Sequence, residues 1–322
     1  MTTRASWLLD PVIVLLAVAT VLVGTVAGTQ RKVVDVDEAV YRSVLLRMQD
    51  GEGFYDATAA ALVEKDGARP SQVRSFRTPV LATLLAPFPA DAWRWLAAIP
   101  SLALCAAAAL LAGPCRTARR IAVGLTCIWV LVSLPLLYLH HELWGAALVV
   151  FAAAALRDDR DGLAAGLCLA ATAIRELFGV SLLVGLVVRR ARPPWLAALA
   201  GAGVVAGLHL WAGGNATDPD GYEPPLEATD PIWHYLSPGD SPAASALGVA
   251  ILLLAAVGAW RHRDRSDLVF ALASALPLTV GGVVLGRSYW AIAWCAPVSV
   301  AAALALVDGW TRVAPRTATA ST

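Results

Sequence analysis

The feature that most constrains this chain is the recurrence of apolar runs long enough to cross a lipid bilayer. A helix needs about 20 mostly apolar residues to span the hydrocarbon core. Of the 322 residues, 58% are hydrophobic and 15% are charged, whereas soluble domains are nearer a quarter charged. The sequence therefore predicts an all-α, polytopic transmembrane helix bundle. The apolar segments fall at 11–28, 92–112, 119–139, 143–156, 162–174, 177–188, 195–212, 244–260, 267–285 and 288–307.

Arginine clusters in the short connections predict the orientation of the bundle. They lie at 116–120, 157–160, 189–192, 261–265 and 312–316. Because cytoplasmic connections are enriched in Lys and Arg, placing all five clusters inside gives ten crossings with both termini cytoplasmic. The segment 213–243 then lies outside, and it holds six acids and no Lys or Arg. We expect a single domain over residues 1–322 in a bacterial plasma (inner) membrane.

Two segments do not fit simple crossings. Residues 78–88 are too short to span at 1.5 Å per residue, so we expect an interfacial or re-entrant helix there, with Trp93 and Trp95 marking the outer interface. Residues 162–188 are too long for one crossing and too short for two full ones. A hairpin of two short helices is expected, with Arg175 and Glu176 at its tip, where such a tip must line a cavity or be buried in protein.

The outer segment 29–91 is expected to carry amphipathic helices. Val40, Val44 and Met48 form one apolar stripe, and this first helix should end at Gly51. A second helix should begin near Phe54 and end before Gly67 and Pro70. The simplest interpretation is two helices that lie on the outer membrane face and cap the bundle.

This topology collects polar residues at the outer end of an apolar bundle. Arginine can hold a phosphate through two hydrogen bonds, and a carboxylate can take the proton from an attacking hydroxyl. Together with an apolar groove for a lipid tail, these groups suit a reaction on a lipid-phosphate substrate. The residues are Asp35, Asp37, Glu38, Arg74, Arg77, His140, His141, Glu142, Arg175, Glu176, His234, Arg287 and Tyr289.

Each group also has a structural interpretation. Asp35 or Asp37 can cap the following helix, since acids favour helix N-termini. Arg175 and Glu176 can form an ion pair across the bundle, and Arg287 can be an interfacial anchor. His141 and its neighbours lack the HExxH spacing of a zinc site. We expect no metal and no cofactor.

The spacing of several residues resembles the GT-C superfamily of integral-membrane glycosyltransferases. After the first membrane helix comes DE-x-x-Y (Asp37, Glu38, Tyr41), followed by a loop of amphipathic helices and R-x-P (Arg77, Pro79). The hairpin with Arg175 at its tip, and Arg287 and Tyr289 before the last helix, look similar as well. The likeness is to bacterial enzymes that depend on polyprenyl-phosphate sugars, such as mannosyltransferases.

The resemblance implies a reaction and its residues. Asp37 would be the general base, with Asp35 and Glu38 as contenders, and the sugar carbon would be inverted. A hexose or pentose would pass from a polyprenyl-phosphate donor to an envelope lipid, glycan or protein outside the membrane, with no nucleic-acid partner. The residues implied in substrate binding are Tyr41, Arg77, His141, Glu142, Arg175, Glu176, Arg287 and Tyr289.

Two other functions fit the same residues. A transporter or flippase of a polyprenyl-linked lipid would use the arginines without a base, but its charges should follow a path through both leaflets. Here the charges within the apolar segments collect at one face. A non-catalytic scaffold for envelope synthesis is the second alternative, because the chain is short for the superfamily.

Overall fold

All regular elements of the computed structural model are helices. It describes residues 10–30, 36–71, 76–137, 139–221, 242–285 and 292–313. The helices are α1 Pro11–Gln30, α2 Val36–Gln49, α3 Phe54–Asp66, α4 Val80–Leu85, α5 Ala90–Leu96, α6 Ala98–Ala112, α7 Arg116–Leu137, α8 His141–Arg157, α9 Asp161–Ile174, α10 Gly179–Val188, α11 Pro193–Gly214, α12 Pro242–Arg261, α13 Ser266–Leu285 and α14 Ile292–Val313.

Three helical stretches are long and apolar enough on their own to cross a membrane. Among the described residues they are Ala90–Ala112, Pro193–Gly214 and Ile292–Thr311. Several further apolar helices are shorter, including Asp161–Ile174 and Glu176–Val188, the two arms of the expected hairpin. The all-helical bundle is therefore confirmed, while the count of ten crossings stays a prediction.

The core of the bundle is built from small side chains around α14. Ala301, Ala302 and Ala303 are fully buried, and α14 packs against α6, α7, α8, α12 and α13. At Gly258 of α12 an added Cβ would lie 1.9 Å from the carbonyl oxygen of Ala301. Only glycine permits this approach, which is how small residues bring membrane helices into close contact.

One end of the bundle is held by arginine ion pairs. Asp10, just before α1, accepts hydrogen bonds from Arg116 Nε (2.8 Å) and Arg120 Nε (3.0 Å) of α7. The hydrogen bond from Arg120 has the largest effect and that from Arg116 the next, and together they hold the pKa of Asp10 well below its usual range. The carboxylate therefore stays charged at physiological pH. Arg189 forms an ion pair with Asp161, with 2.9 Å between Arg189 Nε and Asp161 Oδ1. Some of the arginines that were used to predict orientation therefore also join helices through ion pairs.

Residues 36–66 fold into the two expected helices, α2 and α3. α2 ends before Gly51, whose φ is +94°, and α3 ends at Gly67, which has φ +79° and donates its N–H to Val63. Val44 of α2 is buried against Ala57 and Ala61 of α3. The apolar stripe of α2 therefore serves to pair the two helices.

The prediction for the segment after α3 is confirmed in part, since a short helix is present there. α4 has six residues, too few to cross a bilayer. Trp93 was expected at the membrane interface, and this was wrong: it is fully buried and its indole donates to Leu85 O at 3.0 Å. A buried indole needs such an acceptor, so Trp93 joins α4 to α5. Trp95 is 49% exposed.

Candidate functional site

A cavity of about 70 Å³ lies between α2, α3, α4 and the start of α8. Its walls are mostly aliphatic and include Val44, Leu45, Leu81 and Leu85. Its polar lining residues are Thr58 and four larger side chains, namely Tyr41, Lys65, Arg77 and His141. Two of these carry positive charge, and no carboxylate lines the cavity within the described part of the chain. Such a space suits an amphiphile with an anionic head.

Tyr41 joins three parts of the chain at one end of this cavity. Its hydroxyl accepts a hydrogen bond from Arg77 Nε at 3.2 Å. Its ring lies 5.6 Å from that of His140, edge to face, and 5.3 Å from that of His141. α2 is thereby placed against the residues that open α8.

The tip of the hairpin lies beside the same residues. α9 ends at Ile174, and Arg175 has extended backbone angles (φ −150°, ψ 113°) that break the helix. Thr78 donates to the carbonyl of Ile174 at 2.6 Å. The segment that carries Arg77 is thus attached to the tip that carries Arg175.

Arg175 is buried between two carboxylates. It is 3% exposed, and its Nε donates to Glu142 Oε1 at 3.0 Å while Nη1 donates to Glu176 Oε1 at 2.5 Å. Glu142 is also 3% exposed, and its Oε2 lies 4.0 Å from His140 Nδ1. A buried charge requires such partners, so this network accounts for an arginine inside an apolar hairpin.

Some buried polar atoms around the cavity lack a hydrogen bond. Within the described residues, neither ring nitrogen of His141 has a partner, nor do Oε2 of Glu142 and Oε2 of Glu176. Leaving such groups unsatisfied typically costs about 1–3 kcal/mol each. Since His141 is 4% exposed and lines the cavity, a polar group bound there would satisfy its imidazole.

The predicted acids have different surroundings. Glu38 is 4% exposed and accepts a hydrogen bond from Arg94 Nη2 of α5 at 3.4 Å, which attaches α2 to α5. Asp37 lies in the first turn of α2, one helical turn before Tyr41. The side chain of Asp37, and the whole of Asp35, Arg74, His234, Arg287 and Tyr289, lie outside the described residues.

Sequence reasoning missed four residues in or near the site. Tyr55 of α3 shares a 2.9 Å hydrogen bond with His209 Nδ1 of α11, and burial raises the pKa of the Tyr55 phenol, which is protonated at neutral pH. His209 is the single imidazole in an apolar helix, and that could have marked it. Lys65 is one of only two lysines in the chain. Arg94 carried no such signal.

The site has no evident metal centre in the part that is described. No group of three or more His, Cys, Asp or Glu residues there is placed to hold a metal ion.

No protein-family model and no curated protein matches the sequence. The structure is similar to that of ArnT from Cupriavidus metallidurans bound to undecaprenyl phosphate, with a TM-score of 0.58 and 15% sequence identity. The similarity covers 96% of this chain and 62% of that protein, so this chain spans less than two thirds of its length. This chain therefore shares the fold of that protein.

Proposed function

We propose that this chain is a membrane glycosyltransferase that moves a sugar from a polyprenyl-phosphate donor to an acceptor hydroxyl outside the bacterial plasma membrane. The observation that carries this proposal is the cavity under α2 and α3, which combines aliphatic walls with Lys65 and Arg77. The ArnT structure to which the fold is similar contains undecaprenyl phosphate, a lipid of the same chemistry.

The cations of the cavity would hold the donor phosphate. Lys65 and Arg77 line the cavity, whereas Arg175 is not among its lining residues and binds Glu142 and Glu176. A phosphate would have to share Arg175 with both acids. We therefore assign direct contact to Lys65 and Arg77, with Tyr41 and His141 completing the polar end.

Arg175 would act on the donor through its charge and by holding Glu142 in place. Glu176 is the more exposed of its two partners, at 37% against 3%, and so is the one that a ligand could displace. Arg287 and Tyr289 remain part of the proposal as donor-binding residues on the strength of the resemblance.

Asp37 would be the general base. It takes the proton of the acceptor hydroxyl while the hydroxyl oxygen bonds the anomeric carbon of the sugar. The bond from that carbon to the phosphate oxygen breaks, and polyprenyl phosphate leaves with both bonding electrons. Attack from the opposite face inverts the carbon, and the cations balance the charge that develops on the leaving phosphate.

Sugar transfer by the purified full-length chain tests the proposal. The chain, in nanodiscs, is given polyprenyl-phosphate hexoses and pentoses with envelope fractions as acceptor, and free polyprenyl phosphate is measured. We expect release that depends on Asp37 and on the acceptor. Movement of intact donor between leaflets without release would indicate a transporter, and no binding of any donor would leave a scaffold.

A further inference from the structure

A second site lies at the other end of the bundle. An apolar groove of about 470 Å³ runs between α12, α13 and α14, and it is lined on α12 by Ala255, Ala256 and Ala259. On α13 and α14 its lining includes Leu276 and Trp294, and no charged residue of the described chain faces it. From Leu252 to Ala259 the groove follows α12 for about 10 Å, roughly a third of the hydrocarbon thickness of a bilayer.

The groove ends next to exposed arginines. Ala259 directly precedes Trp260, Arg261 and the connection to α13, which carries Arg263. Trp260 is 71% exposed, and the guanidinium carbon of Arg263 lies 4.9 Å from the centre of its ring. Exposed tryptophans with nearby basic residues mark the level of lipid headgroups.

Two of the three arginines at the connection between α12 and α13 are exposed and could contact a ligand. Arg265 is bound to Asp267 at 2.6 Å and to the carbonyl of Leu111, so it is structural. Arg261 and Arg263 have no ion-pair partner among the described residues, and both are exposed. Two acids lie near them: Asp264 of the same connection is exposed, and Oδ2 of Asp308 in α14 lies 3.2 Å from His262 Nε2. Arg261 and Arg263 are the exposed cations at the mouth of the groove.

We propose that this groove binds an anionic phospholipid, with an acyl chain against the alanines of α12 and the headgroup phosphate on Arg261 and Arg263. The apolar groove leads to the two exposed arginines, Arg261 and Arg263, just as the acyl chains of a phospholipid lead to its headgroup phosphate. A basic pocket between membrane helices is the arrangement that recognises such headgroups. The site lies apart from the cavity under α2, and the inference does not depend on the proposed sugar transfer.

Native mass spectrometry of the purified full-length chain tests this site. The probes are phosphatidylglycerol and phosphatidylcholine with identical acyl chains, titrated separately. Phosphatidylglycerol should bind more tightly, and the double variant Arg261→Ala/Arg263→Ala should weaken its binding about tenfold or more, to the level of phosphatidylcholine. The double variant Arg160→Ala/Arg190→Ala removes two exposed arginines from other connections and should leave binding unchanged.

A groove-filling variant separates a built site from attraction to surface charge. Ala256 is exposed in the groove, so Ala256→Phe should fold normally and weaken both lipids. Equal binding of the two lipids to the parent chain would overturn the proposal, as would equal losses in the two arginine variants. Full binding by Ala256→Phe, or a dimer that this variant dissociates without loss of lipid, would overturn it too, and the latter would assign the groove to a second copy.

Discussion

At the residue scale, Arg175 and Arg77 have different surroundings. Arg175 is buried with its charge matched by Glu142 and Glu176. Arg77 lines the cavity, and its Nε donates to the hydroxyl of Tyr41. A buried ion pair that loses one partner leaves an uncompensated charge and is strongly destabilising. Substitution of Arg175 will therefore report on folding as much as on ligand binding, and Arg77 is the sharper probe of the donor.

Replacing Arg77 by alanine should raise the KM for a polyprenyl-phosphate sugar about tenfold or more, because a hydrogen bond to a charged group contributes about 1.5–3 kcal/mol. Arg77→Lys should recover part of the loss, since a point charge cannot replace the planar guanidinium. Steady-state kinetics on the full chain measure both. Arg47→Ala is the matched control, because Arg47 pairs with Glu52 and Glu64 away from the cavity. Equal KM values for Arg77→Ala and Arg47→Ala would remove Arg77 from the donor site.

Replacing Asp37 by asparagine should lower kcat by roughly 100-fold or more, the usual effect of losing a positioned base, with donor KM and thermal stability unchanged. Glu38→Gln should mainly lower stability, since it weakens the contact with Arg94. Asp56→Asn, an exposed acid in the first turn of α3, serves as the control. If Asp35→Asn is the inactive variant instead, the base lies two residues earlier. If Asp35→Asn, Asp37→Asn and Glu38→Gln all transferred sugar at the rate of the parent chain, a carboxylate base at positions 35–38 would be contradicted.

Part of the site was predictable because it depends on order along the chain. The costly pair Arg175 and Glu176 in an apolar run predicted a hairpin tip, and α9 and α10 meet there. The contact of Tyr55 with His209 and that of Glu38 with Arg94 were not predictable. They depend on how each helix is rotated and shifted against its neighbour, and the arginine count fixes only which end a residue occupies. The wrong prediction for Trp93 has the same origin. An indole suits a membrane interface, and it also suits a buried position where its N–H finds an acceptor, as that of Trp93 does at Leu85 O.

At the element scale, close contacts of glycine set the position of the hairpin. A Cβ on Gly145 of α8 would lie 2.0 Å from Cε2 of Phe178, which is 1% exposed and lies two residues after Glu176. Phe178 thus packs against bare helix backbone and fixes how deeply the tip is inserted beside Glu142. The geometry of the Arg175 network therefore depends on Gly145 through its contact with Phe178.

Replacing Gly145 by alanine should destabilise the chain by about 1–3 kcal/mol, the usual effect of overpacking a core, and should disturb the tip. A lower midpoint of thermal unfolding in detergent, together with reduced donor binding, would show this. Gly166→Ala in α9 is the matched control, because an added Cβ there meets nothing within 4 Å. It should be neutral or stabilise by up to about 1 kcal/mol. Equal unfolding midpoints in the two variants would contradict this role for Gly145.

At the scale of the whole molecule, charge is divided between the two ends of the bundle. One end holds the cavity, the buried network of Arg175 and the paired helices α2 and α3. The other holds Asp10 with Arg116 and Arg120, and arginines that bind helix-end carbonyls, as Arg189 does at Leu156. The proposed base and donor site would lie at one end of the bundle, and this placement suits transfer at one membrane face.

The last prediction is that the end with the cavity faces outward. Asp220 lies beside it, because the N–H of Asp218 bonds the carbonyl of Pro70 after α3. Arg263 lies at the opposite end, in the connection between α12 and α13. In a Cys115→Ser background, which removes the one exposed cysteine of the chain's described part, Asp220→Cys in intact cells should react with a membrane-impermeant maleimide. Arg263→Cys should react only after the cells are opened. The reverse pattern would place the cavity and Asp37 in the cytoplasm, and an acceptor outside the membrane would then be impossible.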